Sequence, residues 1–175
     1  MIVLVMGVCA SGKTTIGQLL ARRLGGGFVD ADDLHGAHSK AKMAQGIALT
    51  DADREPWLQA THAAMLERQR QGGDHVFACS ALKRGYRQLL RANVADLRLV
   101  YLHGPAELLA ERVAQRRGHF FAPRLLADQL ATLEAPSAEE ALIVDISEAP
   151  AQIVERIVQG LAGREAAGGR TAGDS

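Results

Sequence analysis

The sequence predicts an α/β fold, a parallel five-stranded sheet with helices on both faces, and three observations carry that prediction. The chain opens on a continuous apolar run, "IVLVM", that passes through a glycine-rich turn straight into a helical pattern. Further short apolar segments follow, divided from one another by stretches of helical periodicity. The length, 175 residues of which 47% are hydrophobic, suits one domain with a sizeable core.

Each element can be justified in order. "IVLVM" is β-branched and apolar throughout, the pattern of a strand buried on both faces. After it, Ile16, Leu19, Leu20 and Leu24 recur at helical spacing from Lys13 onward. "GFVDAD" (27–32) is a second strand candidate. "DREPWLQATHAAMLERQRQ" (53–71) is helical, with Pro56 in its first turn. "HVFACSAL" (75–82) is a strand and "KRGYRQLLRAN" (83–93) a helix. "LRLVYLHG" (97–104) is a strand, followed by the helical patterns "PAELLAERVAQRR" and "APRLLADQLATLE". "ALIVDI" (141–146) is the last strand. "APAQIVERIVQGLAG" stacks Ile153, Val154, Ile157, Val158 and Leu161 on one helical face. The domain spans 1–162. The Gly/Ala-rich, polar remainder, 163–175, reads as a disordered tail.

Parallel sheets bind ligands beyond the carboxyl ends of their strands. That rule selects Asp30 and Asp32, Ser80 and Lys83, His103, and Asp145 with Ser147. The first turn is the most specific feature. "GVCASGKTT" fits G-x-x-x-x-G-K-[ST] at Gly7, Gly12, Lys13 and Thr14, and it has the strand before it and the helix after it that a phosphate-binding P-loop needs. Ala10, Ser11 and Thr15 complete the cradle. Glycines let backbone N–H groups point inward, and the helix N-terminus adds positive potential. Lys13 reaches the β- and γ-phosphates, and the Thr14 hydroxyl ligates Mg²⁺.

A P-loop alone fits a kinase, a GTPase, a motor or a sensor. "FVDADDLH" narrows this choice. Asp30, Asp32 and Asp33 repel one another, yet at a strand end they suit a site beside Mg²⁺ or a hydroxyl to be deprotonated. "SKAKMAQGIALTDADREPW", small, polar and Gly-punctuated, suits a lid over an acceptor. Its Lys40, Lys42 and Arg54 are candidates to hold an anion, Arg54 with a planar fork matched to a carboxylate.

Composition excludes other classes. The 20 basic and 20 acidic residues give zero formal charge, against a dedicated nucleic-acid binder. Cys9 and Cys79 show neither metal nor disulfide spacing and read as reduced thiols. The first apolar run is too short to span a membrane and lacks a basic start, so a soluble, cytoplasmic protein is expected.

The series "GVCASGKTT", "DADDLH", "KMAQGIALTDADREPWL", "CSALKRGYRQLLR" and "RGHFF" resembles the gluconate kinases, small P-loop sugar-acid kinases. The likeness runs from about Met1 to about Val158. It implies a three-layer P-loop NTPase sandwich with strand order 2-3-1-4-5 and a lid at about 112–125. It further implies transfer of the ATP γ-phosphoryl group to the 6-hydroxyl of D-gluconate with Mg²⁺, and the homodimer often found in the family. On the same likeness Asp30 organises the metal through water, and Asp32 faces the sugar hydroxyl as base or orienter. His35, Lys42 and Arg54 shape the sugar-acid site, with Ser80, Lys83 and His119 facing it. Arg112 lies near the adenine and Arg116 reaches the phosphates, while Asp145 and Ser147 border the nucleotide.

The chain departs from the family's frequent H-P-x-x-N-x-x-K-M at Gly36 and Ser39, and from its aspartate at Gln88. Glycine removes a fixed φ, and serine carries no amide. Two rival readings stand beside the resemblance. One is a related kinase for shikimate, adenylyl sulfate or a nucleoside monophosphate; the other is an ATP-binding sensor.

Overall fold

A computed structural model describes residues 1–45, 47–115 and 122–168. Five parallel strands form one sheet in the order β2-β3-β1-β4-β5. They are β1 (Ile2–Met6), β2 (Gly27–Asp30), β3 (His75–Ala78), β4 (Leu97–His103) and β5 (Leu142–Asp145). The helices are α1 (Lys13–Leu24), α2 (Ala37–Ala44), α3 (Asp51–Gln71), α4 (Arg84–Arg91), α5 (Ala106–Gln115), α6 (Ala122–Thr132) and α7 (Pro150–Gly168).

The central strand shows why its sequence has no polar alternation. Val3 and Val5 point to one face, where α1 and α7 supply Ile16, Leu20, Ile153, Val154, Ile157 and Leu161. Ile2, Leu4 and Met6 point to the other, against Trp57, Leu58 and Met65 of α3 and Leu90 of α4. Period-two geometry therefore feeds two cores from one apolar strand. No helix among the described residues is long and apolar enough to cross a membrane.

Several boundaries differ from the sequence reading, β3 among them, which ends at Ala78 instead of Leu82. β2 ends at Asp30, because the Asp30 carboxylate accepts the Asp32 N–H (3.0 Å) and starts a 3₁₀ turn over Ala31–Leu34. The segment read as an irregular lid contains α2. Its sequence, "AHSKAKMA", has one large apolar side chain, Met43, which is exposed, so no apolar stripe announced the helix. α3 begins two residues early, at Asp51. Thr50 Oγ1 accepts the Asp53 N–H while Asp53 accepts the Thr50 N–H, a reciprocal capping box. Pro56 thus falls in the second turn and returns no hydrogen bond to Ala52. α7 runs on to Gly168, so the domain boundary at 162 falls inside a helix. There the Arg164 guanidinium donates to the carbonyls of Ala138 (2.5 Å) and Ala141 (2.7 Å) and ties the late turns to the domain.

Candidate active site

The P-loop joins the end of β1 to α1 with the backbone the motif demands. Gly7 has φ +150°, and a side-chain carbon built there would meet Ser11 Oγ at 2.7 Å and the Leu102 carbonyl at 2.8 Å. Gly12 takes φ +93° at the N-cap of α1 and offers no side chain to the first-turn amides. Even Ala10 sits at positive φ, +61°, a conformation that alanine holds at a cost of about 1–3 kcal/mol. Ser11 is buried, and its hydroxyl has no hydrogen-bond partner among the described residues. An orphaned hydroxyl, an uncapped helix start and a strained loop make a cradle suited to phosphate oxygens. The half-buried Lys13 ammonium donates to the Val8 carbonyl at 2.9 Å, so it rests across the loop. Burial lowers its pKa, opposed first by the Asp32 charge.

The acidic turn meets this loop from β2. Thr14 Oγ1 donates to Asp30 Oδ2 at 2.7 Å, and the other Asp30 oxygen is held by the Asp32 amide. Among the described residues no cluster of three or more His, Cys, Asp or Glu could hold a metal. A hydroxyl with one carboxylate behind it fits Mg²⁺, which keeps several waters and is completed by substrate phosphates. The Asp32 carboxyl accepts no hydrogen bond among the described residues. Its pKa is raised above the usual carboxylate range, first by loss of water and then by the Asp30 and Asp33 charges; Lys13 pulls the other way. Strand alternation would have set Asp30 and Asp32 on one face. The 3₁₀ turn separates them, leaving Asp30 on Thr14 and Asp32 with an open carboxyl.

The side expected to take the acceptor is built on α3. Trp57 Nε1 donates to the Ala31 carbonyl (2.6 Å) and pins the helix under the acidic turn. His35 stacks on the Trp57 ring, centroids 4.4 Å apart and 10° from parallel. Burial holds its pKa down, and its Nδ1 has no partner among the described residues. The two lysines expected here are already engaged. Lys42 donates to both oxygens of Asp53 (2.8 and 2.9 Å), and Lys83 to both oxygens of Asp51 (2.8 and 2.6 Å). Tyr86 Oη also donates to Asp51, and an Arg54 guanidinium nitrogen lies 3.8 Å from it. Ser80 is half-buried two residues past the end of β3. Ser39 is buried and donates to the Asp53 carbonyl (3.4 Å), so it faces α3.

On the other flank, a cavity of about 260 Å³ is lined by Ala10, Ser11, Gly12 and Thr15 of the loop, Arg112 of α5 and Pro150 of α7. Arg112 also donates to the Ile146 carbonyl at 2.8 Å. Asp145 and Ser147 do not line this cavity; the Ser147 amide closes on Asp145 Oδ1 at 2.6 Å. Arg116 and His119 lie outside the described residues. Arg87 is spent on structure: buried, it pairs with Glu140 at 2.6 Å and donates to the Glu134 carbonyl at 2.8 Å.

Three residues at the site escaped the sequence reading: Asp51, Tyr86 and Gln129. Tyr86 lies three residues after Lys83 on a helix, a spacing that places the two side by side. Gln129, whose Oε1 accepts the Cys9 N–H of the phosphate loop, left no local signal, because that partner is 120 residues away.

Comparison with known proteins agrees with this geometry. A family model described as shikimate kinase matches residues 9–162. A protein named probable gluconokinase from Dictyostelium discoideum is 44% identical over 168 residues, covering 90% of this chain and 84% of that one. The thermoresistant gluconokinase of Escherichia coli (strain K12) is 41% identical over 149 residues, covering 84% and 85%. The crystal structure of a gluconokinase from Sinorhizobium meliloti 1021 superposes with a TM-score of 0.84 at 42% identity, covering 98% of this chain and 97% of that one. Sheet order, P-loop and acidic turn are thus joined by long, high-coverage matches, and the chain belongs to the gluconokinase family of small P-loop kinases.

Proposed function

We propose that the protein transfers the γ-phosphoryl group of ATP to the 6-hydroxyl of D-gluconate, giving 6-phospho-D-gluconate. One juxtaposition carries the chemistry: the Thr14–Asp30 pair beside the open carboxyl of Asp32. Kinship with the gluconokinases points to the acceptor.

ATP would lie with its base toward the Arg112 cavity and its phosphates on the loop amides. Thr14 would ligate Mg²⁺ directly and Asp30 through water; the ion, when bound, neutralises charge on the β- and γ-phosphates. Lys13 would leave the Val8 carbonyl for the terminal phosphates. Asp32, with its raised pKa, takes or orients the proton of the attacking hydroxyl. Arg54 would hold the far carboxylate and so choose which hydroxyl meets the phosphate, while Lys83 stays paired with Asp51. His35 sets the floor of that site through its stack on Trp57. Arg116 adds positive charge to the transferring group. The reading places the enzyme in the cytoplasm, and a homodimer, if formed, is measurable by sedimentation.

A coupled ADP assay with ATP and Mg²⁺ over gluconate, other sugar acids, shikimate and AMP tests the proposal. Gluconate should stimulate turnover above the rest. Stimulation by shikimate or AMP with none by gluconate would overturn the acceptor.

A further inference from the structure

We propose that Gln129 is a ligand of the terminal phosphate of bound ATP, held in place by the P-loop itself. Gln129 Oε1 accepts the Cys9 N–H at 2.6 Å, a contact between α6 and the loop. Because a backbone N–H can only donate, the side-chain oxygen must face the loop, and this settles the orientation of the carboxamide. The Nε2 group of the same plane carries two N–H donors, and it makes no hydrogen bond among the described residues.

Position assigns the phosphate. The cavity beside Arg112 lies at the Ala10–Thr15 side of the loop and suits the nucleoside. Val8 and Cys9 do not line that cavity, and the Lys13 ammonium rests on the Val8 carbonyl. A P-loop lysine serves the β- and γ-phosphates. Cys9, next in the chain to Val8, therefore borders the terminal phosphate, and Gln129 borders it too. The helix is anchored for this task. Leu126, one turn before Gln129 on the same helical face, is buried in the cluster that contains Val8 and Ala10. A half-buried side chain so fixed spends little entropy on binding.

The inference rests on ATP as phosphoryl donor, and binding measurements separate the two. Calorimetry with Mg²⁺, no acceptor present, compares ADP with a non-hydrolysable ATP analogue. Gln129→Ala should bind the analogue about 10- to 100-fold more weakly, the range of a hydrogen bond to a charged group, and ADP within about threefold of the unaltered protein. Gln129→Glu keeps an acceptor for the Cys9 amide but puts negative charge at the γ-position. It should hold its melting temperature and still lose affinity for the analogue more than for ADP. Equal weakening of both nucleotides, or of neither, in the folded variants overturns the assignment and leaves Gln129 a brace of the loop. Failure of the unaltered protein to bind either nucleotide would sink the donor reading and this inference with it.

Discussion

Thr14 and Asp30, 16 residues apart, meet across 2.7 Å and join the start of α1 to the end of β2. The contact brings the phosphate loop and the acidic turn into one crevice. The hydroxyl that would ligate Mg²⁺ is paired with the carboxylate that would stand behind its water. Removal of either should be felt at the metal before it is felt in the fold.

Lys13→Ala should lower kcat about 10²–10³-fold, the usual loss when one preorganised charge or donor is removed from a transition state. Circular dichroism and thermal unfolding should show a folded protein, since among the described residues the ammonium's hydrogen bond is to the Val8 carbonyl. A folded variant with near-normal turnover would exclude the lysine from phosphate stabilisation.

Asp33→Asn should move the acid limb of the pH–kcat/KM profile to lower pH. The Asp33 charge helps to raise the Asp32 pKa. A base works only when deprotonated, so turnover fades as pH falls through that raised value. With one negative neighbour gone, Asp32 ionises at lower pH and activity persists further into acid. A limb that stays put, or shifts upward, contradicts Asp32 as the titrating base.

Gly36→Pro should stabilise the protein by about 0.4–1 kcal/mol, measured by denaturant unfolding. Gly36 sits at φ −64° and ψ 161°, values that proline adopts without strain. A side-chain carbon there meets nothing within 4 Å, and the Gly36 N–H makes no hydrogen bond among the described residues. His35, at φ −62° and ψ 132°, already has the extended backbone that must precede proline. A loss of stability would show that the free protein does not hold this turn.

Much of the architecture was legible because it rests on local pattern. The P-loop's glycines answer to backbone torsions, and the five apolar segments answer to burial on both sheet faces. The site was legible where chain neighbours make it: Thr14 beside Lys13, Asp30 beside Asp32. It was not legible where tertiary pairing decides. Lys42 read as a cation awaiting an anion and Lys83 as facing the sugar-acid site, yet Asp53 and Asp51 already receive them. Ser39, the departure from the family's asparagine, faces the α3 backbone. The strand beyond Asp30 was lost to a side-chain cap that competes with the ladder. Gln129 could be found only once the chain had brought α6 to the loop.

The division of labour in the acidic turn is the account's central claim, and a Mg²⁺ titration of turnover in Asp30→Asn and Asp32→Asn tests it most directly. Asp30→Asn should need more Mg²⁺ for half-maximal activity and recover as the ion is raised. Asp32→Asn should bind ATP close to normally, slow transfer by about 10²–10⁴-fold, and gain nothing from added Mg²⁺. Rescue of Asp32→Asn by Mg²⁺, with none for Asp30→Asn, would reverse the two roles.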